Sequence, residues 1–227
     1  MFKNFINIIT SPSEVFSEIK EKPTFWSPFL VLLALMAVTQ FIVFKNIDFD
    51  YLITSMAEQI AEQQDIAVSE AKQSISILTP TLLMVSSIAG VIIVLPIVFV
   101  ISAAYLNLIA KLSDDKYKFA HWFSLTCWTS MPTAFTALAS IANVLLSSSG
   151  QFTETQFNPI SLGNLLSIHD SPISGVLQSI DLTTFWTWAL AILGYKFLTQ
   201  CSGLKASIIV LAPGVLIYGG WAALALL

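Results

Sequence analysis

Five apolar stretches, at roughly 26–44, 81–110, 121–147, 182–200 and 205–227, dominate this sequence. Each is long enough, as a helix, to cross the roughly 30 Å hydrocarbon core of a bilayer. Inside lipid every backbone amide and carbonyl must be satisfied within the protein, which leaves helices as the natural solution for such segments. The expected fold is therefore all-α. It is a polytopic membrane protein with five transmembrane helices, short N-terminal interfacial helices, and an outer helical hairpin between spans one and two. Residues 1–24 form the cytoplasmic amphipathic part and 25–227 the five-helix membrane domain.

The basic residues orient these spans. All ten are lysines. Lys3, Lys20 and Lys22 precede the first stretch, Lys111, Lys116 and Lys118 separate the second from the third, and Lys196 and Lys205 flank the turn between the fourth and fifth. Only Lys45 and Lys72 fall elsewhere, in the loop after the first stretch. The positive-inside rule then places the N-terminus, second loop and fourth loop in the cytoplasm, and Leu227 outside. For a bacterial chain this means the inner membrane, with a periplasmic C-terminus. The segment before Trp26 carries Glu14, Glu18 and Glu21 and lacks the apolar core of a cleaved signal peptide.

Composition closes off several function classes. Hydrophobic residues make up 56% and charged residues 11%, against about a quarter charged in soluble domains. The net charge of −4 and the absence of arginine offer no basic patch to nucleic acid and no guanidinium clamp for phosphate. Cys127 and Cys201 are expected as reduced thiols near the cytoplasmic side, and no disulfide framework can form outside. His121 and His169 fall on opposite faces, so no zinc site is expected. No cofactor is implied. No Gly-x-Ser-x-Gly elbow, phosphate loop or pair of deep aspartates is present. An enzyme is the weakest reading.

Local patterns add detail. Phe2, Phe5, Ile6 and Ile9 share one helical face, opposite Lys3, Asn4 and Asn7. Ser11-Pro12-Ser13-Glu14 is a helix start with Ser11 as N-cap, and Pro23 ends that helix. These two helices turn their apolar faces to lipid or to the bundle. In the first outer loop Phe49, Leu52, Ile53, Met56 and Ile60 follow helical spacing, and Val68, Ala71, Ile75 and Leu78 continue as a second arm. The carboxylates of this hairpin follow no calcium-loop spacing and read as a solvated face. The second outer loop, Ser148 to Ile180, reads as a surface loop resting on the membrane, with a substrate lid as the alternative.

Candidate site residues follow from the spans. Pro96, Pro132 and Pro213 predict kinks. Ser86/Gly90 and Gly219/Ala223 are small-xxx-small pairs suited to helix contacts. Trp26 and Trp122 are expected at the inner boundary, and Trp186, Trp188 and Trp221 at the outer one. Asp181 reads as the N-cap of span four, with ligand or proton contact as the alternative. Lys196 reads as a snorkelling side chain. Gln40, Asn107 and Asn143 read as interhelical hydrogen-bonding groups.

Several of these blocks, in order, resemble the Yip family (the Ypt-interacting-protein membrane domain), in its short bacterial branch. They are Ser11-Pro12-Ser13-Glu14-Val15-Phe16, Phe25-Trp26-Ser27-Pro28, Trp128-Thr129-Ser130-Met131-Pro132, Asp181 to Trp186, and Ser202-Gly203-Leu204-Lys205. The resemblance covers nearly the whole chain and implies five spans with the N-terminus inside. The Asp and Gly of the eukaryotic Asp-Leu-Tyr-Gly-Pro motif are absent, as are the Gly and Tyr of the Gly-Tyr-x-Leu-x-Pro segment. Eukaryotic members are associated with Rab-type GTPases through an extended cytosolic region, and these departures argue against GTPase binding here. The expected function is non-enzymatic: binding of lipids, membrane-protein partners or further copies of the chain, in membrane organisation or trafficking. The alternative is a transporter or channel with a cavity between kinked spans two, three and five. The residues singled out are Trp26, Pro28, Pro96, Pro132, Asp181, Trp186 and Lys196.

Overall fold

The computed structural model describes residues 2–113, 115–153 and 156–227. Every regular element in them is a helix, and no strand forms among the described residues. Four helical units are long and apolar enough to cross a membrane: α3 (Trp26–Asn46), α6 (Pro80–Leu112), the pair α7 (Phe119–Thr129) and α8 (Thr133–Leu146), and α12 (Gly203–Ala225). The stretch expected as the fourth span forms the 18-residue helix α11 (Leu182–Thr199), which falls short of these four because threonines, tryptophans and Lys196 dilute its apolar character. Its packing explains the tolerance. α11 touches α2 (Pro12–Glu21), α7, α8 and α12, so much of its surface meets protein. By contrast α6 and α12 bury little, and present Ile92, Ile93, Ile97, Ile101, Leu216 and Leu224 outward.

The third span, expected as one kinked helix over about 121–147, spans 119–146 and divides at Ser130–Pro132. Pro132 has no amide to give to the Trp128 carbonyl, and the Met131 amide takes that acceptor at 3.2 Å instead. The amides of Thr133, Ala134 and Phe135 likewise donate to carbonyls three residues back, so the chain tightens into a short turn before α8 resumes. Pro96 behaves differently, because α6 continues through it.

The N-terminal segment forms α1 (Phe2–Thr10) and α2, packed as a hairpin. Ile8, Val15, Phe16 and Ile19 are buried in the same core as Trp122, Leu125, Trp128 and Tyr195. α2 therefore turns its apolar face to the bundle. On α1 the faces differ from the simple amphipathic expectation. Asn4 and Asn7 are buried and donate to Glu18 and Glu14, respectively, while Phe2, Ile6 and Ile9 stay exposed. Ser11 sits at the N-cap of α2 without a side-chain bond; the Glu14 amide donates to the Ser11 carbonyl at 3.0 Å, and the Glu14 carboxylate accepts from Lys3 and Asn7.

The outer hairpin forms as α4 (Phe49–Gln64) and α5 (Val68–Ser74). Ala57, Ala61 and Ala71 are buried where the arms meet, and small side chains there permit the close approach. Asp48 caps α4 by accepting from the Tyr51 amide at 3.1 Å.

Two expectations about small and aromatic residues are corrected. A Cβ added at Gly90 or Gly219 would meet nothing within 4 Å, so neither small-xxx-small pair lies at a helix contact within this chain. The close approaches fall at Gly194, where a Cβ would collide with Leu125 and Phe16, and at Gly214, where it would lie 2.8 Å from Trp188. Trp122 is not a boundary residue. It is fully buried, its ring tilted against that of Tyr195 with centroids 5.4 Å apart, because the α1–α2 hairpin covers the bundle end that hydropathy alone marks as open.

Candidate functional site

Asp181 is the one charged side chain buried among the described residues. It caps α11, and its Oδ1 accepts from the Thr184 amide at 2.9 Å, the Thr183 hydroxyl at 2.8 Å and the Thr184 hydroxyl at 3.0 Å. Its Oδ2 accepts from Thr136 Oγ1 at 2.7 Å and Asn158 Nδ2 at 3.1 Å. Thr136 belongs to α8 and Asn158 to the 147–180 segment, so one carboxylate joins three parts of the chain. Burial alone would raise its pKa. The hydrogen bonds from Thr136, Thr183, Asn158 and the Thr184 amide outweigh that and hold the carboxyl below its ordinary range.

The position of Asp181 along the bundle follows from Thr136. From Thr136 to Leu146 α8 rises about 15 Å at 1.5 Å per residue. The capped start of α11 is thus recessed below the end of α8, and the 147–180 segment folds into the recess. Ser161 is fully buried, bridges to Asp181, and donates to Gln178 Oε1 at 2.7 Å. The Leu162 amide donates to the Ile180 carbonyl at 2.8 Å. Asn143 on α8 donates to the Gln156 carbonyl at 3.0 Å. The described residues of this segment form a folded cap tied to Asp181, though Leu165 and Leu166 remain exposed on it.

The break in residues 119–146 has its own anchor. The Thr24 carbonyl, just before α3, accepts from Trp128 Nε1 at 2.8 Å and Ser124 Oγ at 2.9 Å. These bonds satisfy a backbone acceptor where the chain turns into α3, and lock α7 to it. Pro28 is buried in the first turn of α3, where a missing amide costs nothing. Trp26 is 65% exposed, with its ring 5.1 Å from Phe25.

Two cavities stand out, and neither is lined by Pro96, Pro132 or Pro213. One, of about 330 Å³, lies under the cap among Asn143, Gln151, Phe152, Gln156, Pro159 and Asn164. The other, of about 310 Å³, lies at the lysine-rich end between α2 and α11, with Lys196 in its wall. The expected cavity between kinked spans two, three and five is not among them, since α6 and α12 touch only over a short stretch.

The singled-out residues therefore do not converge. Asp181 and Trp186 lie near one another at the start of α11, Trp186 stacking on Phe135 of α8 at 5.6 Å. Lys196 lies toward the other end of the same helix, and Trp26 and Pro28 open α3. Of the three amides, Asn143 binds the cap, Gln40 bonds to no described residue, and Asn107 Oδ1 is buried without a partner among them. Among the described residues no group of histidine, cysteine and carboxylate is placed to hold a metal.

A family model, that of the Yip1 domain, matches the chain over residues 6–224. The chain belongs to the Yip1 domain family. It is also 26% identical over 195 residues to Membrane protein YknW of Bacillus subtilis (strain 168), covering 84% of this chain and 76% of that protein. No solved structure matches it. In this Yip1 domain the blocks that carry the sequence resemblance are the structural anchors: α2 in the core, the Trp128–Pro132 break, the Asp181 cap, and the Ser202 cap, whose hydroxyl accepts from the Lys205 amide at 3.3 Å. Thr136 and Asn158 were not legible in sequence as partners of Asp181, because 45 and 23 residues separate them from it.

Proposed function

We propose that this Yip1-domain protein is a non-enzymatic, five-span protein of the bacterial inner membrane that works by binding lipids or membrane-protein partners in membrane organisation or trafficking. Its lysine-rich end, with the α1–α2 hairpin, faces the cytoplasm, and the cap over Asp181 and Leu227 face the periplasm. The observation that carries this reading is the contrast between inside and outside. The interior is filled by large side chains such as Trp122, Trp128, Tyr195 and Phe16, and the one carboxylate buried among the described residues is saturated by the protein's own donors. The binding surface is external. Phe2 and Ile6 of α1 are 89% and 64% exposed beside Lys3, in a helix held to α2 by polar bonds and to α7 by Phe5 against Trp128 at 5.2 Å. A helix presented this way is suited to lie in the inner headgroup layer.

Photo-crosslinking tests this. A crosslinking residue placed at Phe2, Ile6 or Ile9 in cells is expected to capture lipid or a membrane-protein neighbour. Labelling by water-soluble reagent alone, with no lipid or membrane neighbour captured at any of the three, would contradict the proposal.

A further inference from the structure

The cavity at the lysine-rich end is built from two kinds of wall. Phe16 of α2 and Phe197 of α11, with ring centroids 6.0 Å apart, form its apolar side together with Leu193. Lys196, Ser13 and Gln200 supply its polar side, Gln200 with its amide donating to the Phe197 carbonyl. The Lys196 side chain is exposed and makes no ion pair or hydrogen bond with any described residue. The nearest acidic neighbour in sequence to Ser13, Glu14, is already engaged by Lys3 at 3.1 Å and Asn7 at 2.7 Å, on the α1 side. The cavity thus holds an uncompensated cation and a hydroxyl donor beside an apolar wall.

Its depth fixes what can reach it. Lys196 lies one turn before the end of α11, which stops where Gln200 adopts left-handed backbone geometry. On the orientation proposed above, this is the level of the cytoplasmic headgroups. Leu193 is 50% exposed and carries the apolar wall out onto the membrane-facing surface of α11. At about 310 Å³ the space is at the small end of ligand pockets. It has room for a headgroup and not for a folded partner. We infer that this cavity binds the phosphate headgroup of an anionic phospholipid, with Lys196 on the phosphate, Ser13 as a second donor, and an acyl chain against Leu193 and Phe197. Lysine acts on phosphate as a point charge, and a zwitterionic headgroup would bring its own cation to compete. This inference rests on the lipid-binding reading and gives it a site and a lipid class.

The test uses the full chain in nanodiscs of phosphatidylcholine doped with photoactivatable phosphatidylglycerol or, in a parallel arm, photoactivatable phosphatidylcholine. Crosslinks are mapped by peptide. Phosphatidylglycerol is expected on residues 12–16 or 193–200 about tenfold over phosphatidylcholine, a difference of one charge-assisted contact. Lys196→Gln should abolish that preference and Lys196→Arg should retain it, while Lys205→Gln leaves it unchanged. Ser13→Trp, which fills the cavity and keeps the charge, should lower capture as well. Retained capture in Ser13→Trp would mean that Lys196 merely snorkels among lipids, and would overturn the site. Equal capture of the two lipids would overturn it too, as would displacement by inorganic phosphate, which would make the ligand a free anion. Selective capture of phosphatidylglycerol at other peptides, indifferent to Lys196→Gln, would overturn this site and leave the lipid-binding reading standing.

Discussion

The Tyr105 hydroxyl donates to the Ile209 carbonyl at 2.9 Å, and Ile209 is the residue whose helical donor is missing because position 213 is proline. A proline within a helix removes the bond to the carbonyl four residues back, and inside a membrane no water replaces it. Tyr105 of α6 supplies that bond from outside α12, and so joins two helices that otherwise touch little.

Tyr105→Phe should therefore destabilise the protein in detergent by about 1 kcal/mol. Pro213→Ala should rescue most of that loss, since an alanine amide can serve Ile209 directly. Additive effects of the two substitutions in thermal unfolding would show that the hydroxyl does not compensate for the proline.

Asp181 gives a pH signature. Its folded pKa is depressed, so its contribution is fully present above the ordinary carboxyl value of about 4 and is lost as pH falls through the lower folded value. Unfolding midpoints measured from about pH 6 down to about pH 3 should fall in the wild type, and that component should vanish in Asp181→Asn. Asparagine keeps the cap but turns an amide toward Asn158 Nδ2, at a cost of about 1–2 kcal/mol. Asp181→Leu should cost more, because it leaves Thr136, Thr183 and Asn158 without their acceptor. A midpoint indifferent to pH in wild type and variant alike would remove Asp181 from the stabilising network.

Gly194 offers a packing test. Its Cβ position is occupied by Leu125 Cδ1 and lies 3.0 Å from Phe16 Cε1. Gly194→Ala should lower the folded yield, with about 1–3 kcal/mol of overpacking, and Leu125→Ala should relieve part of it. Gly90→Leu and Gly219→Leu should leave the monomer's stability unchanged. Equal losses at all three glycines would contradict the packing described for α7 and α11.

What was legible in the sequence and what was not divides along physical lines. Spans, the α4–α5 hairpin and the Asp181 cap were readable because length, period and capping chemistry are local. The glycines were misassigned because Ser86/Gly90 and Gly219/Ala223 have contact spacing, yet which helix face meets another depends on the whole bundle. Trp122 was placed at a boundary because hydropathy could not reveal that α1 and α2 fold back over it. The partners of Asp181 and of Ile209 were invisible for the same reason: Thr136 and Tyr105 are remote in sequence and carry no motif.

Orientation can be read from one thiol. Cys127 is fully buried, whereas Cys201 is partly exposed in the turn between α11 and α12. In intact cells a membrane-impermeant maleimide should leave Cys201 unmodified, and a cysteine added after Leu227 should react. Labelling of Cys201 from outside would reverse the assignment of the lysine-rich end to the cytoplasm.

Flux through the purified protein tests the central claim most directly, because a bundle whose core is filled by large side chains should bind at its surface and conduct nothing. Reconstituted in liposomes, it should pass ions and protons no faster than empty vesicles, since among the described residues the one buried carboxylate, Asp181, is already taken up by the protein's own donors and offers nothing to a dehydrating cation. Saturable flux that disappears on substituting Gln40, Asn107 or Asn143 would contradict this account and make the protein a transporter.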